Sequence, residues 1–292
     1  MKTILNARRR ARGFTLVEMV IVIVITGIIG AMVAVFIRVP VQGYIDTTAR
    51  AALADTADTA ARRLTRDVRL ALPNSVRVSN DGLLLELLLT KTGGRYLSDS
   101  DPSGLGNVLS FETTPASPAF NVVGAMPVDA LGARQAISVG DQIVVYNLGG
   151  AFAPNNAYTC SATTGCNRAP VTAVAGNVVT LGSYPFTTPP APLPSPSNRF
   201  QVVSTPVTYA CDLKAGTLTR YAGYAIQATQ PVAADLKDGA LLARQVSGCV
   251  FSYTVLANVQ RGLVNIDLSL GAANSNTGVL RLVQQVQARN TP

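Results

Sequence analysis

Residues 14–37 form a run of 24 positions whose only charged member is Glu18, and no other feature limits this chain as tightly. A helix rising about 1.5 Å per residue over that run is about 36 Å long, enough for the roughly 30 Å hydrocarbon core of a bilayer. Val and Ile dominate the run, which weakens helix preference in water. In lipid the backbone must satisfy its own N–H and C=O groups, so a helix is expected regardless. Lys2, Arg8, Arg9, Arg10 and Arg12 precede the run and Arg38 follows it. That asymmetry keeps the N-terminus in the cytoplasm and sends the rest of the chain across the membrane. A secretory signal peptide would have a shorter apolar core with small residues at a cleavage site behind it. The segment Arg38-Val39-Pro40-Val41-Gln42-Gly43-Tyr44 offers no such site.

Charge and cysteine content agree with this topology. The formal net charge is +8, but five of the cations lie before Gly13. The remaining 19 basic and 16 acidic residues are near balance, so the basicity reports orientation rather than nucleic-acid binding. Only 14% of residues are charged, low for a soluble cytoplasmic enzyme. With no histidine, Ser-His-Asp and Cys-His arrangements and most zinc sites are excluded. No Gly-Lys-Ser/Thr phosphate loop is present, and Gly149-Gly150 is a lone pair, so no enzyme activity and no cofactor are expected. The four cysteines, Cys160, Cys166, Cys211 and Cys249, all follow the apolar run, as disulfides in an oxidising compartment would. Of three connectivities we expect Cys160 with Cys166, around a short Ser/Thr/Gly loop, and Cys211 with Cys249, joining two strands. A four-thiolate metal site is the rival, but the spacing lacks a Cys-x-x-Cys knuckle.

Beyond the apolar run, Pro40 and Gly43 are expected to interrupt or kink the helix. Helical periodicity then resumes to Leu72, with Leu53, Ala57, Ala60, Leu64, Val68 and Leu72 forming one apolar stripe. Pro73-Asn74 ends it. After that the period falls towards 2, predicting strands at 75–79, 83–89, 142–147, 177–181, 199–205, 207–212, 217–224, 250–255, 263–270 and 278–287. A short helix is predicted at 235–247, and long Pro/Gly/Ser loops at 91–140 and 185–198. The fold class is therefore α+β, a long N-terminal helix packed on antiparallel β-sheets. The expected division is 1–13, 14–37, 38–74 and a globular β-rich part at 75–292.

The basic leader, Gly13, and Phe14-Thr15-Leu16-Val17-Glu18 ahead of the apolar helix resemble the N-terminal signal of type IV prepilins and type II secretion pseudopilins. The resemblance implies a type IV pilin-like fold and a prepilin peptidase that removes residues 1–13 between Gly13 and Phe14. The same enzyme would methylate the freed Phe14 amine, and Glu18 would pair with that amine on a neighbouring subunit. Val24-Ile25-Thr26-Gly27-Ile28-Ile29-Gly30, Pro40-Val41-Gln42-Gly43-Tyr44 and Arg66-Asp67-Val68-Arg69 resemble the MshO type of minor pilin, related to J-type pseudopilins and W-type minor pilins. That family serves biogenesis of the mannose-sensitive haemagglutinin (MSHA) pilus. It implies an inner-membrane, single-pass subunit that joins other minor and major pilins and an inner-membrane assembly platform, then sits at a filament tip. A type II secretion pseudopilin at a pseudopilus tip, and a tip subunit binding DNA or a surface ligand, are the alternatives. Basic residues past Arg77 are scattered, which argues against nucleic acid. Asp99 and Asp101 offer carboxylates for calcium, but no acidic cluster follows the EF-hand pattern.

Overall fold

The computed structural model describes residues 13–101, 106–127, 135–161, 163–256, 261–271 and 278–292. The chain divides into a first unit that ends at Ala51 and a second comprising Ala52–Pro292. One helix, α1 (Leu16–Arg69), runs from the first unit into the second, of which it is the opening element. Pro40 and Gly43 do not interrupt it, so the interruption expected at these two residues does not occur.

In the second unit the apolar stripe is where the periodicity puts it. Ala57, Ala60, Leu64 and Val68 are at most 1% exposed and share a core with both sheets, with Leu53 packed at its margin. Burying a Leu or Val side chain contributes about 1.5–3 kcal/mol, so this face holds the helix in place. The helix stops at Arg69, three residues before the predicted end. The chain exchanges its last turn for sheet pairing: Leu72 N–H donates to the Leu88 carbonyl at 2.8 Å and Thr90 N–H to the Leu70 carbonyl at 2.8 Å.

The strands are β1 (Arg77–Val78), β2 (Leu84–Tyr96), β3 (Ala119–Val123), β4 (Gln142–Val145), β5 (Arg168–Ala175), β6 (Val178–Leu181), β7 (Arg199–Asp212), β8 (Thr217–Ala222), β9 (Ala240–Arg244), β10 (Val246–Leu256), β11 (Arg261–Leu270) and β12 (Leu280–Arg289). Every pairing is antiparallel. The fold is α+β: a long N-terminal helix against multi-stranded antiparallel sheet, the type IV pilin-like architecture.

Two long strands, β2 and β7, organise the unit by pairing from Leu84↔Ala210 to Arg95↔Arg199. At one end β1 lies beside β2, and β8 and β9 extend from β7, giving a five-stranded sheet over α1. At the other end β3 pairs with the tip of β2 and β4 with the start of β7, and β6 and β5 join them. The result is a closed six-stranded ring, β2-β3-β6-β5-β4-β7, in which each of these described strands has a partner on both sides. Phe120, Ile143, Val171, Val179, Phe200 and Val202 fill it. Phe120 and Phe200 meet edge to face at 5.3 Å. Gly94 is needed there, because a Cβ would lie 2.9 Å from the Phe200 ring.

Several sequence expectations change. The predicted strands 199–205 and 207–212 are one strand through Pro206. Partners along that edge switch from β4 at 200–203 to β8 at 207–212, so proline falls in the gap where no ladder donor is required. The predicted helix at 235–247 is replaced by a 3-10 turn, Ala233–Asp235, and by β9. Asp238 and Gln245 adopt φ of 55° and 58°, which no right-handed helix admits. The predicted loop 91–140 contains the end of β2 and all of β3, while 128–134 lie outside the described residues. The proline-rich 185–198 segment remains irregular but is tied down. Leu193 exchanges two hydrogen bonds with the Asn155 side chain, at 2.7 and 3.0 Å, and Ser195 N–H donates to Tyr96 Oη.

The separate sheet β10-β11-β12 covers the same core. Cys211 on β7 and Cys249 on β10 are disulfide-bonded, crosslinking the two sheets, and Cys160 is bonded to Cys166 in the loop before β5. Replacing Cys211 and Cys249 together by serine is expected to cost about 2–4 kcal/mol of unfolding free energy. Denaturant melts with and without reductant measure this. An unchanged midpoint would show that the core alone fixes the sheets.

Candidate functional site

The N-terminal segment is built around a helix start. Thr15 Oγ1 accepts the Glu18 N–H at 3.3 Å and the Thr15 carbonyl accepts the Met19 N–H at 3.2 Å, so Thr15 is the N-cap of α1. Reading the apolar run alone misses this residue; the Thr-x-x-Glu spacing carries the signal. Glu18 stands in the first turn, where the helix dipole favours an anion. Its carboxylate is exposed and, among the described residues, has no partner.

Around it the surface is hydrocarbon. Phe14 is 75% exposed and Leu16 and Phe36 are each 80% exposed. Thr26, a polar side chain within the run, donates to the Val22 carbonyl at 2.6 Å and so presents no unsatisfied hydroxyl. The helix is long and apolar enough to cross a membrane once, with none of its most apolar stretch buried within the chain. Gly13 precedes the helix, and a Cβ there would meet nothing within 4 Å. The fold therefore makes no steric demand for glycine at this position.

The buried carboxylates and phenols of the globular part are committed to structure. Asp67 on α1, buried at 4% exposure, accepts from Tyr209 Oη at 2.8 Å and Arg220 Nε at 2.7 Å. Burial, then the adjacent carboxylate, pushes the Tyr209 phenol far above its ordinary range. Glu86, fully buried on β2, accepts from Arg77 Nε at 2.6 Å and Tyr224 Oη at 3.0 Å. Burial raises its pKa, and the Arg77 bond opposes the rise. Arg77 also lies 3.7 Å from the centroid of the Tyr158 ring. Burial pushes Tyr96 and Tyr184 up to about 12, so both phenols stay protonated at neutral pH. Fully hydrogen-bonded groups of this kind rigidify a core. Among the described residues no three carboxylate, thiol or imidazole groups gather to hold a metal, and Asp99 and Asp101 do not form such a cluster.

Residues 8–34 match the prokaryotic N-terminal methylation motif. No curated protein and no solved structure matches the chain. A prepilin-like methylation motif, a helix long enough to span a membrane and a disulfide-bonded α+β globular part together describe a pilin- or pseudopilin-type subunit.

Proposed function

We propose that the chain is a minor pilin that primes or caps assembly of an MSHA-type type IV pilus. Residues 1–13 are a cytoplasmic leader that prepilin peptidase removes, and the freed Phe14 amine is methylated. Residues 14–37 hold the subunit in the inner membrane and later form the filament contact with other pilins. Residues 38–74 continue the helix outside the membrane, and 75–292 form the extracytoplasmic part.

The observation that carries this reading is the Glu18 carboxylate, without a partner among the described residues and four positions past Phe14 on a largely apolar surface. An ionised carboxylate is costly in lipid unless a cation is fixed beside it. The only new cation that cleavage creates nearby is the Phe14 amine. In its own chain that amine crowns the positive end of α1, so pairing is best made with the amine of a neighbour. Such a pair sets axial register between subunits. Bulk supports the minor role: the closed β-ring adds a second lobe that is awkward to repeat at every filament position.

Glu18→Ala is expected to leave cleavage before Phe14 intact while cutting filament incorporation about 100-fold or more, because an amine is left desolvated without its counter-charge. Immunoblots of membrane and sheared-filament fractions report both steps. Incorporation at wild-type levels would refute the pairing.

A further inference from the structure

The three-stranded sheet bears a cationic cleft that the filament reading does not use. Arg69 and Leu70 at the end of α1, Arg261 on β11, and Gln285, Gln287 and Arg289 on β12 line a cleft of about 720 Å³. No acidic residue is among its described lining residues.

The placement of these arginines concentrates positive charge on one exposed face. Arg261 and Arg289 face each other directly in the β11–β12 register. Like charges in that position destabilise a sheet. Several cations of this unit are neutralised: Arg77 by Glu86, Lys91 by Asp141 and Arg220 by Asp67. Arg281, on the same face of β12, donates to both oxygens of Asp267. By contrast, among the described residues Arg69 and Arg289 form no ion pair, and Arg261 has only a neutral bond, from Nη1 to Gln287 Oε1 at 3.0 Å.

We propose that this cleft binds a phosphate-type oxyanion. Three guanidinium groups exceed what one carboxylate neutralises, whereas a phosphate monoester or pyrophosphate carries two or more charges. Guanidinium forks also match phosphate oxygens in bidentate geometry. The Gln287 contact holds Arg261 in place, and the volume suits a small phosphorylated molecule or a lipid headgroup. The lining has no aromatic side chain on which bases could stack, which sets single-stranded nucleic acid aside.

The test is calorimetric titration of pyrophosphate into the full-length chain in non-ionic detergent at about 50 mM salt, where phosphate contacts are least screened. Saturable binding is expected, weakened roughly 10-fold or more in Arg261→Gln/Arg289→Gln. The double substitution Arg95→Gln/Arg199→Gln removes equal charge from another directly opposed pair, on β2 and β7, and should leave affinity within about twofold. Without ligand, Arg289→Gln should raise the thermal midpoint by relieving the repulsion, an outcome that misfolding cannot mimic. Competition by mixed detergent micelles containing phosphatidic acid, at lower phosphate concentration than free pyrophosphate, would identify a lipid headgroup as the source. Failure of those micelles to compete better would identify a soluble phosphate compound. No saturable heat up to about 10 mM, or equal loss in both double variants, would overturn the assignment. These readouts need no filament, so they succeed or fail independently of the pilus role.

Discussion

Asp67→Ala is expected to lower the stability of the globular part by about 3–5 kcal/mol, the cost of leaving a buried charge without its partner. Asp67 stands on the inner face of α1 and accepts from Tyr209 on β7 and Arg220 on β8, so one carboxylate ties the helix to two strands. Removing it strands the Arg220 guanidinium, whose side chain is only 12% exposed, and a buried phenol. The contrast is Arg62→Ala on the outer face of the same helix. Its partner Asp58 is half exposed and the pair spans one helical turn, so the expected change is below about 0.5 kcal/mol. Urea melts of the full chain in detergent, followed by tyrosine fluorescence, separate the two. A loss under about 1 kcal/mol for Asp67→Ala would mean that water enters and solvates the strand side of the network.

Gly13→Val should abolish removal of the leader while leaving the fold untouched. The structural half of this expectation is direct: a Cβ at residue 13 meets nothing within 4 Å, so thermal unfolding of the variant should match that of the parent. The functional half rests on the proposed cleavage. If glycine is dispensable for the fold, the demand for it comes from whatever binds the segment, and a β-branched residue beside a scissile bond blocks close approach of another backbone. Intact-mass measurement on membranes bearing prepilin peptidase distinguishes the chain beginning at Met1 from one beginning at Phe14. Efficient cleavage of the valine variant would detach Gly13 from the proposed processing site.

How far the architecture is legible in the residues depends on how local its causes are. The apolar stripe from Leu53 to Val68 follows from 3.6-residue spacing, and the same residues form the helix side of the core. Alternation marks β11 clearly, with Gly262, Val264, Ile266, Leu268 and Leu270 all turned inward. Local reasoning fails where partners come from far along the chain. Pro206 reads as a strand break because a proline cannot donate, yet β2 pairs along β7 on both sides of it and the opposite edge changes partner at that point. β3 sits in a Ser/Pro/Gly-rich stretch and becomes a strand only because β2 and β6 supply its ladders. Residues 235–247 hold enough Leu, Ala and Lys for a helix, but Ala243 and Val246 are needed in a core that β8 and β10 enclose.

At the candidate site the balance is reversed. Phe14, Thr15 and Glu18 are adjacent in sequence, so the N-cap, the lone carboxylate and the apolar surface around them were all determined by spacing along one helix. A membrane-spanning segment needs no tertiary partner to satisfy its backbone, and for that reason its chemistry can be read from the chain directly. The cationic cleft is the opposite case. Arg69 is separated from Arg261 and Arg289, which lie on successive strands, by nearly the whole globular part, and scattered cations in a sequence carry no hint of convergence. Only the end of α1 meeting the β11–β12 register brings them together. Electrostatic energy depends on distance in space, which the order of residues does not contain.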